Sequence, residues 1–291
     1  MNKRKWRNIM STSYKIKKVI TNNIVQALDI NDHEVILIGK GIGFGKKSKD
    51  LISSHNVDNT FILKNEQETN LYKRLLTTTS PRLIEISQDV ITYIQTCTDK
   101  PLNEHIHVAL TDHIAFLVRR CKMGIPIDNP FIYETESLYP KETEIARHVI
   151  DMLNEQLSIQ IPPNEIGFIT LHIISSVTNT QISDIQKTNI LIEKLIRVIE
   201  KQMDFTITRS TLVASRLITH LRFAIERVQR GEFMEVPSSM KEMMKATYPE
   251  CYSLSMKLIK IMQNDLKKKI NSSEAVYLSL HIYQLAQKSV S

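Results

Sequence analysis

The sequence predicts a multidomain protein: a small antiparallel β domain followed by two homologous all-α helical-bundle domains. Three observations carry that expectation. Short apolar runs broken by asparagine and glycine turns fill residues 14–63. From about residue 70 the apolar residues fall at helical spacing. The helical part then repeats itself at an offset of 107–109 residues. The boundaries that follow are a basic extension over 1–13, a β domain over 14–69, and helical domains over 72–182 and 185–291.

The β elements come first. Tyr14–Ile20 reads as a strand, Thr21-Asn22-Asn23 as a turn and Ile24–Leu28 as its return. Neighbouring asparagines tolerate the left-handed backbone that tight hairpins need. Asn31-Asp32-His33 makes the next turn, Glu34–Ile38 the third strand, and Phe61-Ile62-Leu63 a further one. A sheet of about 50–55 residues buries little core alone, so the domain is expected to dimerise.

Leu83–Ile91 opens the helical region, and prolines such as Pro81, Pro101, Pro140 and Pro249 punctuate it. The repeat is dense. Leu110–Arg120 matches Leu217–Arg227, Tyr139-Pro140 matches Tyr248-Pro249, and Glu165–Ile173 matches Glu274–Ile282. Four of the nine histidines sit at equivalent positions: His113 with His220, and His172 with His281. In the first motif His, Phe and Arg stand at i, i+3 and i+7, on one helical face.

Charge is unevenly spread. Residues 1–69 hold twelve Lys and Arg against seven Asp and Glu; residues 70–291 hold twenty-six against twenty-four. The opening Lys3, Arg4, Lys5 and Arg7 suit nucleic acid or an anionic membrane, or simply a solvated tail. Cys97, Cys121 and Cys251 show no metal or disulfide spacing, which fits a reducing compartment. No apolar run of about 18 residues marks a membrane span. The stretch MNKRKWRNIMSTSYK lacks the apolar core of a secretory signal. A cytoplasmic protein is expected.

Four of the seven glycines fall within Gly39-Lys40-Gly41-Ile42-Gly43-Phe44-Gly45, with Lys46, Lys47 and Lys49 just after. The run fits neither a phosphate-binding P-loop nor a dinucleotide fingerprint. It reads either as a hairpin serving folding or as a binding loop. Phe44 between small residues favours the second: a ring can stack on a splayed base while lysines hold phosphates.

The repeated histidines admit several readings. One is structural, as hydrogen-bonded core groups. A second is a metal-dependent hydrolase built on His105, His107, Asp112 and His113, although position 112 becomes Thr219 in the second copy and no nucleophile motif is present. A third is reversible phosphorylation. Imidazole nitrogen is nucleophilic near neutral pH, and an added phosphoryl group brings about −1.5 to −2 of charge that can shift a packing equilibrium.

Lys15–Val25 and Val35–Lys47 resemble the RNA-binding head of the BglG/SacY/LicT transcriptional antiterminators. The duplicated helical units resemble the two phosphotransferase-system regulation domains of the same proteins, in the same order. The resemblance implies a non-enzymatic, dimeric regulator. Its head binds a hairpin in nascent mRNA, prevents terminator formation and lets transcription enter a sugar-utilisation operon. It implies RNA contacts at Lys18, Asn23, Gly39, Lys40 and Phe44, and regulatory phosphorylation at His113, His172, His220 and His281. The implied phosphoryl donors are the general phosphocarrier protein and a sugar permease; no cofactor or metal is implied. The sequence departs from the family in three places. Residues 1–13 extend beyond the usual start, so either Met10 is the start or the tail adds nonspecific RNA affinity. The first turn reads Thr21-Asn22-Asn23 rather than an asparagine triplet. Gly45 stands where many members carry a polar side chain.

Overall fold

The computed structural model describes residues 13–62, 66–125, 127–129, 131–209, 211–232 and 234–289. All of the basic extension before Ser13 lies outside them, as does Leu63 of the fourth expected strand.

Five strands form one antiparallel sheet: β1 Ser13–Val19, β2 Ile24–Leu28, β3 Glu34–Ile38, β4 Leu51–Ser53 and β5 Asn59–Ile62. Their order is β4-β1-β2-β3-β5. The sequence predicts four of these. It misses β4 because three residues are too few to show an alternating pattern. The pairing Val25↔Leu37 and Ala27↔Val35 puts these four side chains on one face. Ile16, Ile42 and Ile52 complete a small core there. On the opposite face Ile24, Gln26 and Ile36 are buried too. Between Ile16 and Lys18 a bulge interrupts the β1–β2 register.

The turns close differently from expectation in one case. Asp32 takes the left-handed backbone, with φ 60°, and Asp29 Oδ1 accepts the N–H groups of Asn31 and His33. At the first turn, neither Asn22 nor Asn23 has positive φ. There the hydroxyl of Thr21 accepts the Asn23 N–H at 3.0 Å, so a side-chain bond does the work assigned to asparagine's backbone tolerance.

The chain divides into two compact units. The first comprises the described residues up to 125, with 148–162 and 176–179. It holds the sheet, α1 Glu66–Thr78, α2 Pro81–Cys97 and α3 Ile106–Met123. The second comprises the described residues of 127–147, 163–175 and 180 onward. It holds α4 Ile132–Leu138, α7 Ile182–Met203, α8 Leu212–Arg230, α9 Ser238–Thr247, α10 Pro249–Leu266 and α11 Ser273–Ser289. It also takes the opening part of α5 Pro140–Leu157 and most of α6 Glu165–Thr178. Helix begins at Glu66, a few residues earlier than the apolar pattern announces, because polar residues fill that first turn.

The two helical copies use the same stops. α3 ends at Gly124 with φ 65°, and α8 ends at Gly231 with φ 73°. Each glycine donates its N–H back to the last turn, the usual left-handed C-cap, and no Cβ opposes that backbone. α5 and α10 each run 18 residues from a proline. Within the second unit, Leu195, Ile196, Leu217, Leu221, Leu258, Met262 and Ile282 share one apolar core.

α4 packs on α7 and α8 in that unit. Its Glu134 is buried and lies 3.4 Å from Arg209, which also meets Glu193 and Glu200. Burial raises Glu134 to about 7; Glu193 adds to the rise and Arg209 opposes it. A raised carboxyl contributes stability that is complete below its unfolded value, near 4.5, and is lost as pH climbs through about 7. Glu134→Gln is therefore expected to flatten the fall in melting temperature between pH 5 and 8. An unchanged pH profile would show that Glu134 carries no such linkage.

Candidate nucleic-acid interface and histidine sites

The glycine loop leaves the end of β3 and folds against the first turn. Three successive turns form it: Ile42 N–H donates to Gly39 O at 3.3 Å, Phe44 N–H to Gly41 O at 3.0 Å, and Lys46 N–H to Gly43 O at 3.2 Å. Gly39 N–H donates to Asn23 O at 3.0 Å and Gly43 N–H to Asn22 O at 2.9 Å. The Asn23 side chain closes the contact, its Oδ1 accepting Gly41 N–H at 2.7 Å. Ile42 plugs into the sheet core and anchors the loop from within.

The glycines serve two different purposes. Gly41 and Gly45 have φ of 70° and 66°, where L side chains are strained. Gly39 and Gly43 are needed for space: a Cβ would stand 2.4 Å from Asn56 O and from Thr21 O respectively.

What the loop presents is Phe44, 74% exposed, between bent glycines. Lys40, Lys46 and Lys47 on the loop are exposed, as is Lys18 on β1. An exposed ring on a loop that also carries exposed lysines matches the chemistry of base stacking with phosphate neutralisation. Of the five residues expected at the RNA surface, Lys18, Lys40 and Phe44 are exposed, Asn23 is half-buried and Gly39 is buried. Asn23 and Gly39 thus hold the loop's shape in this structure. The part played by Gly43, clearance from the Thr21 carbonyl, is not visible in the local pattern, although its place in the cluster is.

The histidines of the second copy come together. His220 on α8 and His281 on α11 stack with ring centroids 3.6 Å apart and planes 22° from parallel. Burial, with the neighbouring His220 second, lowers His281 to about 4. Burial and then Arg227 lower His220. Both rings are consequently neutral at physiological pH, with a nitrogen lone pair available. Arg227, seven residues beyond His220, makes a two-pronged ion pair with buried Glu274 through bonds of 3.0 and 2.7 Å. Sequence reasoning places Arg227 and Glu274 in separate repeat motifs and does not see that they pair. His220→Ala is expected to raise the titration midpoint of His281, measured by NMR, because a repelling neighbour is lost. A midpoint that stays put or falls would show that the stack does not couple the two rings.

In the first copy His113 and His172 are half-buried, Phe116 is 49% exposed and Arg120 is buried with its guanidinium 4.9 Å from the Phe116 ring. The hydrolase candidates do not converge. His105 and Asp112 are exposed, whereas His107 lies 2.7 Å from Gln88 Oε1 and burial drives it down to about 3. Among the described residues, no group of three or more His, Cys, Asp and Glu side chains could hold a metal ion. No helix among them is long and apolar enough to cross a membrane.

A loop-bearing RNA-type head joined to duplicated histidine-bearing helical modules defines a class of transcriptional regulator, and comparison with known proteins agrees. The CAT RNA-binding domain matches residues 14–70, and the PRD domain matches twice, at 88–176 and 193–285. The chain belongs to the BglG/SacY/LicT family of transcriptional antiterminators.

Among its relatives is the PtsGHI operon antiterminator of Bacillus subtilis, 46% identical over 279 residues, which are 96% of this chain and 99% of that protein. Another is the GlcA/glcB genes antiterminator of Staphylococcus carnosus, 38% identical over 284 residues, which are 96% of this chain and 98% of that one. The crystal structure of GlcT CAT-PRDI is 51% identical, with a TM-score of 0.53, and covers 57% of this chain and 99% of its own. Relatives of this kind are named as regulators, which points away from an enzyme.

Proposed function

We propose that this protein binds a hairpin in an mRNA leader, blocks formation of an overlapping terminator, and so lets transcription into a sugar-utilisation operon proceed. The relatives are named for the PtsGHI operon and the GlcA/glcB genes, and the target is taken to be an operon of that kind. The chain acts in the cytoplasm as a homodimer through its head, with domains over 14–69, 72–182 and 185–291. Its phosphoryl donors are the phosphocarrier protein and a sugar permease of the phosphotransferase system, acting on His113, His172, His220 and His281.

The observation that carries the reading is Phe44, projected from a loop whose other apolar residue, Ile42, points inward. Folding alone gives no reason to present an aromatic ring to solvent on a loop that also exposes Lys40, Lys46 and Lys47. Lys40, Phe44 and Lys18 are the contacts; Asn23 and Gly39 act by holding the loop in place. A stacked base is worth about 1–3 kcal/mol. Phe44→Ala is therefore expected to weaken binding of the full chain to its own leader hairpin by about tenfold, with Lys40→Ala also weakening it and steepening no salt dependence. Equal affinity of both variants and the parent in a titration at fixed salt would remove the loop as the RNA surface.

A further inference from the structure

A pocket of about 270 Å³ opens beside the stacked histidines. Val213 and Arg216 of α8 line one side; His281, Tyr283, Gln284 and Gln287 of α11 line the other. One arginine and two amides thus share the lining with a neutral imidazole.

The two arginines near the stack differ in availability. Arg227 is held by both oxygens of Glu274, so its charge is already answered. Arg216 is exposed, one turn before His220, and makes no ion pair among the described residues. A guanidinium presents several N–H donors in a planar fork that suits phosphate oxygens. The amide of Gln284 adds a further donor of the neutral kind.

The repeat supplies an internal comparison. At the offsets that align the histidines, Arg216 corresponds to Ala109, Gln284 to Ser175 and Gln287 to Thr178. The first copy therefore has the histidine but neither the cation nor the amides. The backbone scaffold is duplicated while the lining is not, so the scaffold does not require the lining.

We propose that Arg216 is a positioning residue of this pocket, holding the oxygens of a phosphoryl group as it passes to His281, with Gln284 assisting. The proposal rests on the reading of the histidines as phosphorylation sites, and it distinguishes His281 from the other three. In the transfer, the lone pair of the unprotonated ring nitrogen of His281 attacks phosphorus of a phosphohistidine donor. The donor's N–P bond breaks, its electron pair returns to the donor nitrogen, the proton on the other ring nitrogen of His281 passes through solvent to the donor ring, and the PO₃ unit moves with its negative charge. Arg216 balances that charge as it arrives. The phosphorylated ring then carries a dianionic group beside His220, which favours a protonated His220 and replaces a neutral stack with an ion pair.

The test uses the full-length chain and phosphoramidate, a small donor whose P–N bond breaks to release ammonia and which needs no carrier protein. Phosphohistidine is followed residue by residue by mass spectrometry, together with its decay at neutral pH. His281 is expected to be labelled, and Arg216→Ala to reduce its labelling rate or phosphohistidine lifetime by about tenfold, the loss typical of one charge-assisted hydrogen bond. Arg216→Lys should retain much of the effect, and labelling at His113 and His172 should not change in either variant. Equal labelling and lifetime at His281 in Arg216→Ala and the parent overturns the proposal, as does parent protein that takes no label at His281. The regulatory reading fails separately. If His281 is labelled in an Arg216-dependent way but read-through in cells ignores substitution of all four histidines, the pocket stands and the control by phosphorylation falls.

Discussion

Arg227→Ala is expected to destabilise the second unit by about 3–5 kcal/mol, because it strands a buried carboxylate. Glu274 is 4% exposed in its side chain and Arg227 25%, and two hydrogen bonds join them. Removing the arginine leaves Glu274 either to ionise without a partner or to take up a proton. Each course costs more than an exposed ion pair is worth, which is about 0–1 kcal/mol. The double variant Arg227→Ala with Glu274→Gln should recover a large part of the loss, since no buried charge then remains. Urea unfolding of the single and double variants gives both numbers. A single variant within about 1 kcal/mol of the parent would show that the pair is solvated in practice.

Gly43→Ala is expected to have the second large effect, on the head. The new methyl would lie 2.4 Å from Thr21 O, 2.9 Å from Val19 Cγ1 and 3.2 Å from Val25 Cγ2. Backbone oxygen cannot swing aside as the tip of a side chain can. The loop must lift, and with it goes the bond from Gly43 N–H to Asn22 O. Overpacking of this kind costs about 1–3 kcal/mol, and here the upper end is expected. Gly41→Ala is the control. Its Cβ would meet nothing within 4 Å, so only the backbone strain at φ 70° opposes it, about 1 kcal/mol. Hydrogen exchange of the β1–β2 amides and hairpin binding should both suffer more in the Gly43 variant. Equal behaviour of the two would mean that the loop yields easily.

The pair of glycines also shows where sequence reading stops. That the cluster bends is legible from composition, because glycine alone tolerates such backbone. Which glycine serves dihedral freedom and which serves clearance is a matter of neighbours distant in sequence, Thr21 for Gly43 and Asn56 for Gly39, and no local pattern encodes it. β2 and β3 were legible to the residue, since alternation and turn residues bound them on both sides. β4 was not, being three residues long. Likewise the repeat revealed His220 and His281 as equivalent to His113 and His172, and the i, i+3, i+7 spacing placed Arg227 near the first. The ring stack and the partnership of Arg227 with Glu274 depend on how α8 meets α11, which periodicity within either helix leaves open. Arg216 was hidden for the opposite reason. It departs from the repeat, and a comparison of copies draws attention to what matches.

α4 belongs by sequence to the first copy, yet in the second unit its Glu134 meets Arg209, its Thr135 accepts from Asn189 at 3.4 Å, and Tyr139 at its end lies under the Arg222 guanidinium. Descent and dependence thus divide the chain at different places. The duplicated halves are not free to drift as two separate lineages: a change at Glu134, Thr135 or Tyr139 alters the selective setting of residues in the other half. Arg222 stands two positions from His220, so this shared inheritance reaches the helix that bears one of the four repeated histidines.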